Sequence, residues 1–254
     1  MKPQTRIAIL GLSVPVGILL LWQIIAVIKA SPLFPGPIKV AIAIGHNFST
    51  IISELGYTLM RAGAGFALAA VLMIPLGIFL GRVRVIGMVV EPIMDMAATL
   101  PPPAIIPLVM LFAGTGDLAK IVIIAYAASV PLLMNTYEAS HSIHPMLSRV
   151  ARSLHLSKLE TMRLIDWPAS LPMIVTGARL AIASSLLVSI TSEMLLATNG
   201  IGVYLQRSQE TFKIDAGLAG IAFISLAGIL LNAGMQKLER KWLFWHYRDH
   251  ATDQ

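Results

Sequence analysis

Cysteine is absent from the 254 residues, which excludes disulfides and thiolate metal sites. Charge is scarce: only 13% of the residues are Asp, Glu, Lys or Arg, against roughly a quarter in an ordinary soluble domain. A soluble fold of this length has polar surface to cover, and the side chains for it are missing. Nucleotide and metal signatures are missing too. Gly114-Thr115-Gly116-Asp117-Leu118-Ala119-Lys120 has glycines and a lysine but not the Walker A spacing, and no strand precedes it. The histidines form no His-Glu-x-x-His pair, and His141 and His144 have no carboxylate at ligand spacing. Internal repeats and low-complexity tracts are likewise lacking, so residues 1–254 read as a single domain.

What is present is apolar. Hydrophobic residues make up 56% of the chain, and its mean hydropathy is +0.78. A membrane-spanning helix needs about 20 mostly apolar residues. Six stretches qualify: 7–28, 58–80, 88–112, 118–136, 173–196 and 215–235. The first is too long for a signal-peptide core and lacks a clean small-x-small cleavage site, so it reads as a retained helix. The expected fold is all-α, an integral membrane bundle of about six transmembrane helices. Residues 113–117 leave only a short turn between the third and fourth spans, which predicts a tight hairpin. Residues 36–56 read as a separate surface helix. Gly63, Gly65, Gly77 and Gly81 predict close helix packing, the last two at small-xxx-small spacing.

The net charge of +6 would suggest nucleic acid in a soluble protein. In a membrane protein it reflects Lys and Arg retained on the cytoplasmic side. With the N-terminus inside, twelve Lys and Arg fall on the inner side, from Lys2 to Arg248, and six on the outer side. Arg179 lies within the fifth span and is left out of that count. Both termini are therefore expected in the cytoplasm. Asp95 and Arg179 are each about 10 Å deep at 1.5 Å per residue. Opposite charges at one depth in a bilayer should pair. Arg61 and Glu193, at the outer ends of their spans, are expected to share a polar network for the same reason.

The inner loop 137–172 reads as two short helices. Arg149–Leu154 can form one, with Val150 and Leu154 on one face. Ser157-Lys158-Leu159-Glu160 has the capping-box pattern for the start of another, and Pro168 and Pro172 mark its end. Such a unit suits two roles equally: lying on lipid headgroups, or docking a soluble partner.

Longer motifs decide between them. Ala151-Arg152-Ser153-Leu154, Ile165-Asp166-Trp167-Pro168-Ala169-Ser170-Leu171-Pro172 and Thr176-Gly177-Ala178-Arg179-Leu180 resemble the EAA loop of binding-protein-dependent ABC importer permeases. Ser31-Pro32-Leu33-Phe34-Pro35, Leu59-Met60-Arg61, Ile74-Pro75-Leu76-Gly77, Glu91-Pro92, Pro101-Pro102-Pro103-Ala104, Glu193-Met194 and Gly200-Ile201-Gly202 extend the resemblance over nearly the whole chain. The subgroup resembled is the one for nitrate, sulfonate and taurine, with bicarbonate and pyrimidine-precursor systems. Two positions depart from it. Arg149 stands where the motif has Glu, and His155 where it has the turn Gly, a position that favours positive φ. His is among the few other residues enriched there.

The resemblance implies a permease subunit of the bacterial cytoplasmic (inner) membrane, working as a homodimer with two ATP-binding subunits and a periplasmic or lipid-anchored substrate-binding protein. It implies no catalytic residue and no cofactor on this chain, ATP and Mg being bound by the partner ATPase, and no nucleic acid partner. Arg149, Ala151, Arg152, Leu154, His155, Leu156, Ser157 and Glu160 would form the ATPase-coupling loop. Arg61, Asp95, Arg179 and Glu193 would form gating or intramembrane polar contacts. The competing readings are a membrane-embedded enzyme, which would need clustered titratable groups, and a scaffold or channel subunit, which would not need the paired-helix loop.

Overall fold

The computed structural model describes residues 3–243, the side chains of residues 3–12 and of Arg84 excepted; Lys2 and Arg248 of the charge count lie outside this range. Ten α-helices follow one another, and no strand occurs among the described residues. They are α1 (Pro3–Lys29), α2 (Pro37–Arg82), α3 (Arg84–Thr99), α4 (Pro102–Ala113), α5 (Asp117–His141), α6 (Pro145–Ser153), α7 (Lys158–Thr161), α8 (Trp167–Leu196), α9 (Ile201–Glu210) and α10 (Ile214–Trp242). The protein is a membrane helical bundle. The helices α2, α5, α7–α8 and α10 are long and apolar enough to cross a bilayer unaided, and α3 with α4 makes a fifth crossing if the pair counts as one. Within α1, the stretch with described side chains, Ser13–Lys29, is apolar as well.

Three boundaries differ from the sequence reading. Residues 36–56 are not a separate surface helix. They are the first half of α2, which runs unbroken for 46 residues, about 69 Å at 1.5 Å per residue. Val40, Ala43 and Ile51 bury against Ile201 and Ala219, and Phe48 meets Phe223 edge-on at 5.8 Å. That packing favours continuing the helix over turning it onto the surface.

The expected third span, 88–112, is broken at Leu100 and Pro101, where α3 and α4 meet at 93°. Three consecutive prolines lack N–H groups, and each forces its predecessor away from helical backbone angles. Leu100 and Pro101 accordingly have ψ of 113° and 125°. The short connection from α4 into α5 is as expected.

The second loop helix does not end before the fifth span. It passes into α8 through one π-helical turn, Met162–Asp166, where the Trp167 N–H reaches back to the Met162 carbonyl. Pro168 and Pro172 sit inside the resulting run. A wider turn is one way a helix absorbs missing donors.

Packing follows the rule for lipid rather than water. Apolar side chains gain little by leaving lipid, so small residues and hydroxyls are favoured where helices touch. Ala69, Ala128, Leu132, Ala178 and Ala181 fill the contact among α2, α5 and α8. Ser140 donates to the Ile78 carbonyl at 3.1 Å and Ser189 to the Thr58 carbonyl at 3.3 Å. Val71, Leu111 and Phe112 are exposed.

A Cβ on Gly77 would stand 2.7 Å from Thr136, and one on Gly81 2.7 Å from the Tyr137 carbonyl oxygen. Gly65 is as tight against Ile124, whereas Gly63 faces open space and is not a packing glycine. Gly81→Leu is therefore expected to abolish accumulation of folded protein, because the obstacle is backbone. Gly45→Leu, which meets nothing within 4 Å, should accumulate normally. Detergent-extracted yield on gel filtration checks both.

Candidate functional site

The loop from α6 to α7 is built from its caps. His144 precedes Pro145 and its Nδ1 accepts from the Met146 N–H at 3.2 Å, opening α6. The helix closes on His155, whose φ is +51°. The Leu156 N–H donates to the Ala151 carbonyl at 3.0 Å and the His155 N–H to the Arg152 carbonyl at 3.1 Å. This pair of bonds around a left-handed residue is the Schellman end, made here with His in place of Gly.

The next helix begins two residues later with both halves of the capping box. The Ser157 N–H donates to Glu160 Oε2 at 2.8 Å and the Glu160 N–H to Ser157 Oγ at 3.3 Å. Hydrogen bonding from Ser157 holds the Glu160 carboxyl below its usual range. The turn is thus fixed at four backbone positions. On it, Leu154 is 64% exposed and Leu159 75% exposed. Val150, Met162 and Leu164 are exposed beside them, while Ala151 is buried and Leu156 half-buried. Arg149, Arg152, His155, Ser157 and Glu160 stand at the surface around this apolar group.

The middle of α2, the start of α5 and the end of α8 meet at Arg61. It is 1% exposed and pairs through Nη1 with Glu193 Oε1 at 2.9 Å, Glu193 being fully buried. Its Nε donates to Asp117 Oδ1 at 2.9 Å, and its guanidinium also reaches the Asn199 carbonyl and side chain. The second Glu193 oxygen accepts from Thr58 Oγ1 at 2.7 Å and from the Gly202 N–H at 3.1 Å. Thr58 in turn accepts from the Ile201 N–H at 2.9 Å. A carboxylate and a hydroxyl thus take up the free N–H groups at the start of α9, where an anion is favoured. Gly200, at φ +113°, would push a Cβ to 2.3 Å from the Glu193 carboxyl carbon, so only glycine fits. Lys120, also buried, completes the cluster on Asp117 at 3.1 Å.

Asp95 and Arg179 do not pair. Arg179 is bound to Glu239 near the end of α10. Asp95 lines a different cavity of about 280 Å³ with Glu91, Asn135 and Glu138. Equal depth did not make them neighbours because they lie on different sides of the bundle.

Sequence reasoning also missed Asp166, which is buried and paired with Arg82. It passed over Thr58, Asp117 and Asn199 as well. Thr58 stands three residues before Arg61, the same-face spacing on a helix, and that signal was available. Asp117 was hidden in a turn motif. No group of three or more metal-ligating side chains converges among the described residues.

Residues 73–243 match the family described as binding-protein-dependent transport system inner membrane component. The chain is 28% identical over 253 residues to the taurine transport system permease protein TauC of Escherichia coli (strain K12), covering 96% of this chain and 92% of that protein. It is 30% identical over 243 residues to the putative aliphatic sulfonates transport permease protein SsuC of the same organism, with 94% and 92% covered. Against the nitrate import permease protein NrtB of Synechocystis sp. the identity is 28% over 252 residues, with 94% and 87% covered. Among solved structures, the MetNI methionine ABC transporter in an inward-facing form superposes with a TM-score of 0.69 at 16% identity, covering 77% of this chain and 97% of that one; this likeness is one of fold. The chain belongs to the inner membrane components of binding-protein-dependent transport systems and groups with the taurine, aliphatic sulfonate and nitrate ABC permeases.

Proposed function

We propose that residues 1–254 form one permease domain that pairs with a second copy to build the pathway for a small organic anion such as taurine or another organic sulfonate. ATP and Mg bind two separate ATP-binding subunits, and a periplasmic or lipid-anchored binding protein delivers the substrate. Both termini lie in the cytoplasm, so that the loop from α6 to α7 faces the ATPase. The observation that carries this reading is that loop: a rigid, doubly capped turn presenting Leu154 and Leu159 to the surface. It continues through a π-turn into α8.

Force applied to the turn is delivered to the base of α8. There Asp166 is tied to Arg82 of α2, and at the far end Glu193 is tied to Arg61 of the same helix. The helix α8 is thus fastened at both of its ends to the second half of α2, at Arg82 and at Arg61, and the two move as one body. Closing of the ATPase and docking of the binding protein bias the same two-state equilibrium from opposite faces of the membrane. Arg61, Glu193 and their partners hold the outer end, where α9 is anchored. Asp95 and Arg179 serve separately, at the inner sides of the bundle.

The test is uptake into proteoliposomes holding this chain, its ATPase and its binding protein. ATP-dependent accumulation of a sulfonate is expected. A chain that extracts with no ATPase, or sulfonate flux that ignores ATP, overturns the reading.

A further inference from the structure

A hollow runs down the side of the bundle between α3, α5 and α8. Its head is a cavity of about 490 Å³, walled by Ala98 and Leu100 at the helix break, by Pro131 of α5 and by Leu180 and Ser184 of α8. Its foot is the cavity of about 280 Å³ that holds Glu91, Asp95 and Glu138. Met134 and Asn135 line both parts and join them. Along α5 the lining residues Ala127, Pro131, Asn135 and Glu138 recur at helical spacing, a single stripe about 16 Å long at 1.5 Å per residue.

Three observations put water in this hollow. In an unbroken helix the carbonyls of Ala97, Ala98 and Thr99 would accept from residues 101, 102 and 103, which are prolines without N–H groups. The Ala97 carbonyl is served instead by the Leu100 N–H at 3.3 Å and the Tyr126 hydroxyl at 3.1 Å. Those of Ala98 and Thr99 accept from nothing among the described residues, and both residues are exposed. Open backbone at membrane depth is tolerated only where protein buries it or water reaches it. Glu91 and Asp95, one turn apart on α3, are exposed as well, and charged side chains within a span face a water-filled cavity or a partner rather than lipid. Finally, Thr176 and Ser185 bond back to carbonyls of their own helix, whereas Ser184 does not.

We infer that this hollow is the water-filled leg of the transport pathway, with the α3–α4 break and Ser184 at its head and the carboxylates at its foot. The inference rests on the permease reading above and assigns the residues that line the route. No Lys or Arg is among the side chains lining either part. An anion that has passed Asn135 therefore meets Glu91, Asp95 and Glu138 and is repelled, which speeds its release and slows its return. This leg of the route is a passage and not a resting site. Because α8 forms one wall, movement of the loop from α6 to α7 widens or narrows the passage at Ser184.

A chain without cysteine lets each position be read alone. Ala98→Cys, Asn135→Cys and Ser184→Cys, with Val71→Cys on the exposed apolar face of α2 as control, are placed singly in the complete transporter in lipid nanodiscs. Each is labelled with a cationic and an anionic methanethiosulfonate of similar size. A thiol reacts as its thiolate and so needs water, and positions 98, 135 and 184 should label at least about tenfold faster than 71. At 135 the carboxylates should favour the cationic reagent by roughly fivefold over the ratio the two reagents show on a free thiol. In proteoliposomes, labelling Ser184→Cys should block most ATP-driven uptake, and labelling Val71→Cys should leave it unchanged. If Ser184→Cys does not assemble, Ala98→Cys serves for the same measurement.

Three outcomes overturn the inference alone: a transporter that imports with ATP while 98, 135 and 184 label as slowly as 71, one in which two copies of Ser184→Cys cross-link directly and exclude both reagents, as when a second copy fills the hollow, and one in which the anionic reagent is favoured at 135. A native chain with no ATP-driven uptake at all overturns the functional reading instead.

Discussion

Leu154→Asp is expected to reduce ATP-driven uptake by at least tenfold while membrane insertion and yield stay normal. Leu154 sits at the end of α6 with 64% of its surface exposed, so an aspartate there disturbs nothing within the chain. It would place a charge in the apolar centre of the ATPase contact, and truncating or charging a buried interface anchor commonly removes 2–4 kcal/mol, about 30- to 1,000-fold in affinity. Leu156 is the less informative target although it stands beside Leu154. It is half-buried in the Schellman turn, and a charge there would loosen the loop itself. His155→Gly provides the converse case. At φ +51° glycine relieves strain, so the variant should retain uptake and gain stability by a fraction of a kcal/mol. Uptake at the native level for Leu154→Asp would remove the loop from the coupling route.

Arg61→Leu carries the second large effect, on folding rather than coupling. The substitution leaves Glu193 fully buried without its cation, and leaves the Asn199 carbonyl without a donor. Removing one partner of a buried ion pair costs about 3–5 kcal/mol, a large part of the stability of a typical domain. Little folded protein should accumulate, and what does should melt well below the native chain in detergent. Replacing both charges, Arg61→Leu with Glu193→Leu, should recover part of the loss, because two apolar groups leave no unpaired charge. Equal melting for Arg61→Leu and the native chain would mean that the network contributes nothing to the stability of the bundle.

Much of this was legible in the sequence, for definite reasons. The capping box at Ser157 and Glu160 is local, its partners three residues apart, and so it reads directly from the chain. The left-handed turn at His155 was legible by comparison with a motif whose glycine it replaces. The meeting of Arg61 with Glu193 follows from charge and depth at a membrane edge, and the structure places them 2.9 Å apart. The same argument failed for Asp95 and Arg179, because depth fixes height in a bundle and not angular position around it. The break at Leu100 was written in three adjacent prolines, yet a hydropathy window averages over 20 residues and passes across it. Asp166 was missed because a buried acid at the inner end of a span looks like a loop residue until its partner Arg82, on a helix distant in sequence, is seen.

The absence of cysteine allows the central claim to be put to one measurement. A single cysteine at position 154, in an otherwise native chain, is cross-linked in membranes to single cysteines on the partner ATPase, with and without ATP. The account requires a cross-link to the ATPase at 154 whose yield changes with nucleotide, and none from a cysteine placed at exposed Phe212 beyond the outer end of α9. A position 154 that reacts only with lipid-soluble reagents, or that couples to nothing on the ATPase in either state, would contradict it.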